Sequence, residues 1–108
     1  MATSEDYIQF VCSQIEDAGS VRYRKMFGEY MAYLDDKPVL LVCDNTVFVK
    51  IIEPMKEIMK DAETGFPYDG AKEHYILDIE NRELSVNAAK IAAENYKSKP
   101  KKNKKPKK

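Results

Sequence analysis

Apolar residues recur at helical spacing near the start of the chain, where Ile8, Val11, Cys12, Ile15 and Ala18 share one stripe. Thr3 or Ser4 is placed to cap such a helix, and Glu5 and Asp6 sit favourably against its N-terminal dipole. Gly19 suits the position just past its end, so the pattern predicts a helix over 4–18. From Val21 the period changes. A stretch rich in Val, Tyr, Phe, Leu and Ile is punctuated by Gly28, Asp35-Asp36 and Asp44-Asn45, which predicts an antiparallel meander over 21–26, 29–34, 37–43 and 46–52. Asp and Asn tolerate positive φ, so both pairs suit two-residue hairpin turns. Gly28 fits a point where the chain bends after Phe27.

Those turns imply a register. Val42 falls opposite Val47, Leu40 opposite Val49, and Met31 opposite Leu40. One face is then Met31, Tyr33, Leu40, Val42, Val47, Val49 and Ile51, the expected core. The other is Tyr30, Ala32, Val39, Leu41, Cys43 and Phe48, with Thr46 and Lys50 at its margin. Both faces are apolar, whereas a sheet with one wet face alternates more cleanly, so a cover over the second face is expected.

Glu53-Pro54 opens a predicted helix with Met55, Ile58, Met59 and Ala62 inward, closed by Thr64-Gly65. The run 66–70 is turn chemistry, and Tyr75, Leu77 and Ile79 alternate as a fifth strand. A last helix runs from Asn81 or Arg82 to Tyr96, with Leu84, Ala88, Ile91 and Ala92 inward. The order α-β-β-β-β-α-β-α predicts an α+β domain in two layers, an antiparallel sheet with helices, over 1–96.

Composition sharpens this picture at one place. The formal net charge of the 108 residues is zero, yet ten Lys and Arg face all eighteen acids through residue 96, a balance of −8. The other eight cations are Lys97, Lys99, Lys101, Lys102, Lys104, Lys105, Lys107 and Lys108. This last segment, 97–108, has no apolar residue and repels itself, so a disordered tail is expected. Its lysines either engage DNA or RNA phosphates weakly and without sequence preference, or only solubilise the protein. The start is polar and acidic and no apolar run reaches the roughly 18 residues of a membrane span, so a cytoplasmic protein with no membrane partner is expected.

Candidate chemistry is sparse. The single histidine, His74, could serve as a general base, but an ordinary strand-edge side chain is the simpler account. Cys12 lies in a helix stripe and Cys43 beside Asp44, which disfavours a thiolate. One His and two separated Cys give no metal-ligand spacing, and the dispersed glycines form no phosphate loop. No catalytic residue, metal or cofactor is therefore expected. Arg22, Arg24 and Lys50 with Tyr30 and Phe48 would make a modest single-strand stacking surface, though those rings read more simply as core.

The run Tyr23-Arg24-Lys25-Met26-Phe27-Gly28-Glu29-Tyr30-Met31-Ala32-Tyr33, a short turn, and then 37–50 ending in Phe48-Val49-Lys50 resembles the N-terminal domain of TfoX/Sxy-type proteins. The motif positions are Arg24, Met26, Phe27, Gly28, Tyr33 and Lys50; Pro67-Tyr68 and the final Ala-rich helix fit as well, so the likeness spans about 4–96. The resemblance implies a secretion-chaperone-like α+β fold and a non-enzymatic part in regulating genes for natural competence and DNA transformation. It brings no catalytic residues. Full-length regulators of this type carry a second, helical C-terminal domain, where this sequence has its lysine run. The expected partners are a protein or a second copy docking on an apolar sheet face, with weak nucleic-acid contact through the tail as the alternative.

Overall fold

The computed structural model describes residues 3–26 and 29–96; Phe27, Gly28 and the lysine-rich segment fall outside the described residues. Helix α1 (Glu5–Ile15) runs on through a 3-10 turn (Glu16–Ala18) into the meander β1 (Val21–Met26), β2 (Glu29–Leu34), β3 (Lys37–Cys43) and β4 (Thr46–Lys50). A 3-10 turn (Glu53–Met55), β5 (Thr64–Gly65), β6 (His74–Ile76) and α2 (Arg82–Glu94) follow. All strand pairs are antiparallel, in the spatial order β1-β2-β3-β4-β6-β5. The fold is α+β, as the periodicities predict.

The Ser4 side chain caps α1 by accepting from the Tyr7 N–H at 3.2 Å. Both hairpin turns are of the doubly left-handed kind, with φ of 51° and 69° at Asp35 and Asp36 and 53° and 54° at Asp44 and Asn45. That geometry matches the twist of the flanking strands. The second turn is also tied to the N-terminus. Thr3 Oγ1 donates to Glu29 Oε1 at 2.9 Å and accepts from the Asn45 N–H at 3.1 Å, while the Ser4 N–H donates to Asn45 Oδ1 at 3.3 Å. The Asp44 N–H reaches the same Glu29 oxygen at 3.0 Å. Thr3 is thereby buried with its hydroxyl satisfied.

Register departs from the expectation at one residue. Tyr33 pairs with Pro38, but Ala32 pairs with Leu40 and Met31 with Leu41, leaving Val39 as an extra residue in β3. This is a bulge, next to a proline that has no N–H to give the ladder. Because side chains alternate with period two, the slip turns β2 over. Tyr30, Ala32 and Leu34 face the helices, while Met31 and Tyr33, expected in the core, face the other way. Leu40, Val42, Val47 and Val49 are in the core as expected; Ile51 is half-buried beyond β4.

Two further segments differ. The stretch after β4 is a 3-10 turn and further turns rather than a regular helix, with Met59 N–H on Met55 O at 3.1 Å and Ala62 N–H on Met59 O at 3.0 Å. Burial of Met55 and Met59, one turn apart, anchors it without a continuous ladder. Thr64-Gly65, expected as a helix stop, is the short edge strand β5 against β6.

Helix α2 starts at Asn81, whose side chain accepts from the Leu84 N–H at 3.1 Å. Its inward line is Ser85, Ala88, Ala89 and Ala93, with Leu84, Ile91 and Ala92 alongside. Small residues let the helix lie close to the sheet. The fully buried Ser85 hydroxyl donates to Asn81 O at 2.9 Å and lies 3.3 Å from Ile79 O, so it costs little. Arg82 meets Asp17 at 3.3 Å and Glu16 at 3.7 Å, joining the ends of α1 and α2 at the surface, where such pairs are worth at most about 1 kcal/mol.

The bulge makes a clear prediction. Ala32→Asp, which puts an unpaired carboxylate into the core, should cost several kcal/mol and leave little folded protein. Met31→Asp, one residue away but opposite Arg24, should keep a cooperative urea transition within about 1.5 kcal/mol of wild type. The reverse ranking would refute the register.

Candidate functional site: the sheet face opposite the helices

Both helices pack on the side of the sheet that carries Tyr30, Ala32, Leu34, Leu40, Val42, Val47 and Val49. The opposite side is built by the pairings themselves. Arg24 lies against Met31, Met31 against Leu41, Leu41 against Phe48 and Phe48 against Ile76, one continuous row across five strands. None of these five belongs to the core packed under the helices. Met31, Leu41 and Ile76 are half-buried, and Phe48 is 6% exposed. The row is closed over at Phe48 and partly open at Met31, Leu41 and Ile76.

Cations flank the row. Arg22 lies on this face with its guanidinium 4.6 Å from the centre of the Tyr33 ring and its Nε 3.0 Å from Asp36 Oδ1. Lys50 sits at the far end, paired in register with His74, whose ring meets Phe48 edge-on at 6.4 Å. Among the described residues Arg24 and Lys50 have no ion-pair partner. A domain that is acidic through residue 96 thus turns a basic and apolar side outward.

The motif positions Arg24, Met26, Tyr33 and Lys50 all lie on this face, brought together from β1, β2 and β4. Phe27, Gly28 and the eight tail lysines lie outside the described residues. The stacking surface considered for a single strand is not assembled. Tyr30 lies on the helix side, its ring edge-on to Tyr23 at 5.5 Å, and only Phe48 of the two rings joins the cations.

The reactive residue types remain apart. His74 Nδ1 is 2.7 Å from Lys72 O, and among the described residues no group of three His, Cys, Asp or Glu could hold a metal ion. Burial pushes the Cys12 thiol up to about 11. Cys43 also rises to about 11, through burial first and then the carboxylates of Glu29 and Asp44. Both thiols are protonated near neutral pH, the opposite of an activated nucleophile.

An antiparallel meander is backed by two helices on one side and carries a row of apolar residues flanked by cations on the other. The chain belongs to the TfoX N-terminal domain family, whose model matches residues 13–100. That is a family of non-enzymatic regulatory domains. The chain is also 40% identical over 78 residues to the uncharacterised 12.7 kDa protein in the trpE 5′ region of Spirochaeta aurantia, a match covering 72% of this chain and 68% of that protein. Among the described residues no helix is long and apolar enough to cross a membrane.

The thiols give a pH test. Alkylation by iodoacetamide should be slow at pH 7–8 and climb steadily towards pH 11; a rate that levels off near neutrality would contradict the assignment. Because both folded thiols hold their protons more tightly than the ordinary 9.0, their contribution to stability is full below about pH 9 and is lost as pH rises towards 11. Replacing both with alanine should flatten that part of a stability-against-pH curve.

Proposed function

We propose that this protein is a regulatory module of the competence-regulator type, acting in transcription regulation through contact with another protein. The observation that carries this reading is the row Arg24–Met31–Leu41–Phe48–Ile76, apolar at its centre and cationic at its rim, on the side of the sheet away from both helices. A partner surface with apolar residues and carboxylates complements it, and electrostatic match of that kind sets specificity and association rate. Membership in the TfoX N-terminal domain family supports the same reading.

The test compares wild type with Leu41→Asp, which places an acid in the middle of the row without touching the core. Affinity capture followed by mass spectrometry should recover transcription or DNA-uptake components with wild type and lose them at least tenfold with the variant. Transcript profiles of a strain carrying the variant should match those of a deletion. Equal recovery with both proteins would overturn the reading. The Lys-rich tail is separated by DNA binding at two salt concentrations with the full chain and with a chain ending at Tyr96. Retained regulation by the shorter chain is expected; loss that tracks DNA binding would favour the tail instead.

A further inference from the structure

Strand β1 ends the sheet, and its pairing fixes which backbone groups are spent. Val21 pairs with Leu34 and Arg22 with Tyr33, and the Asp35 N–H donates to Ser20 O at 2.7 Å. Since hydrogen-bonded pairs alternate along an antiparallel ladder, Ser20, Arg22, Arg24 and Met26 bond towards β2. The N–H and C=O groups of Val21, Tyr23 and Lys25 then point away from the sheet, and no other described element engages them. Beside this edge runs an open groove of about 450 Å³ between α1 and β1, lined by Cys12, Ser13, Glu16, Val21 and Tyr23 among others.

The two sides of the edge differ in charge. On the helix side the groove carries Glu16, and the Tyr23 hydroxyl donates to Glu5 at 3.0 Å. On the other side stand Arg22 and Arg24. A strand added to β1 would send alternate side chains to these two sides. Its groove-facing residues would meet Val21, Tyr23 and Cys12, and its other residues would meet the two guanidinium groups.

We infer that the β1 edge is a docking site for an extended segment of a partner protein in which acidic and apolar residues alternate, added as a seventh strand. The inference deepens the proposed protein-contact role and rests on it for its biological setting. Charge selects this occupant over the others. A second copy pairing β1 antiparallel on itself about Tyr23 or about Arg24 sets arginine against arginine, Arg22 opposite Arg24 in one register and Arg24 opposite itself in the other. The protein's own C-terminal segment offers only lysine as a charged residue and is repelled by the same arginines.

The experiment uses the full chain and a fluorescein-labelled octapeptide of alternating valine and glutamate, followed by anisotropy and by amide hydrogen exchange. Two control peptides carry lysine for glutamate, or the same residues in two blocks of four. Saturable binding of the alternating acidic peptide is expected, at least tenfold tighter than either control, with slowed exchange at Val21, Tyr23 and Lys25. Lys25→Pro removes one outward N–H at an exposed edge position, where proline is tolerated, and should weaken binding about tenfold or more with an unchanged melting curve. Arg22→Glu with Arg24→Glu should invert the preference towards the lysine peptide, which keeps the test decisive if the proline variant folds poorly. Equal binding of the block peptide, no protection of the three amides, or no inversion by the double variant would overturn the inference. None of those outcomes decides the result with Leu41→Asp, so a failure at the edge is distinguishable from a failure of the sheet-face reading.

Discussion

A single unpaired residue in β3 decides what each side of this sheet presents. Between the Tyr33–Pro38 and Ala32–Leu40 pairs Val39 is supernumerary, so β2 meets β3 one residue out of step with the simple hairpin. The extra residue lies immediately after Pro38, close to the hairpin turn, where the ladder is short. The consequence reaches every strand on that side. Tyr30, Ala32 and Leu34 turn towards the helices, and through the β1–β2 register Val21 and Tyr23 follow them. Arg22, Arg24, Met31 and Tyr33 are turned out. Without the bulge, two arginines would lie over the helix-side core and the basic face would not exist.

The same device explains how much could be read in advance. Hairpin turns were legible because Asp35-Asp36 and Asp44-Asn45 accept left-handed φ at both positions, and the end of β2, both ends of β3 and the start of β4 follow from them, whereas β4 stops at Lys50 rather than at 52. Helix α1 was legible from its stripe and its Ser4 cap. The face of β2 was not, since both of its sides are apolar and periodicity cannot rank Met31 and Tyr33 against Tyr30 and Ala32. Alternation identifies a strand; it does not count residues in the partner strand. In α2 the inward side is chosen by size, Ser85 and three alanines, where hydropathy points to Leu84 and Ile91. The candidate site was half legible in the same sense. The motif positions Arg24, Met26, Tyr33 and Lys50 were named by resemblance, but their sharing one face is a property of the register.

Electrostatics gives the two sides of the sheet separate roles. The first 96 residues carry a net −8, so indiscriminate attraction of polyanions is not a property of the body as a whole. Against that background Arg22, Arg24 and Lys50 form a local exception, concentrated where the surface is also apolar. A long-range field that repels acids and a short-range patch that accepts them together favour ligands with few, well-placed carboxylates over long polyanions such as nucleic acid. Selection by position rather than by total charge suits a protein-binding surface.

An edge strand next to a groove is a hazard as well as an opportunity, because its free backbone groups would pair with any passing strand. Here the protection and the selectivity come from the same residues. Arg22, Arg24 and Lys25 would set like charges against one another if β1 paired with itself, and Glu16 and Glu5 place negative charge on the groove side. A strand that satisfies both sides at once must alternate acid with apolar, and a flat hydrophobic strand of the aggregating kind satisfies only one. The charge pattern that opposes self-pairing of β1 is thus the pattern that would read the partner, so a mutation that weakens one weakens the other.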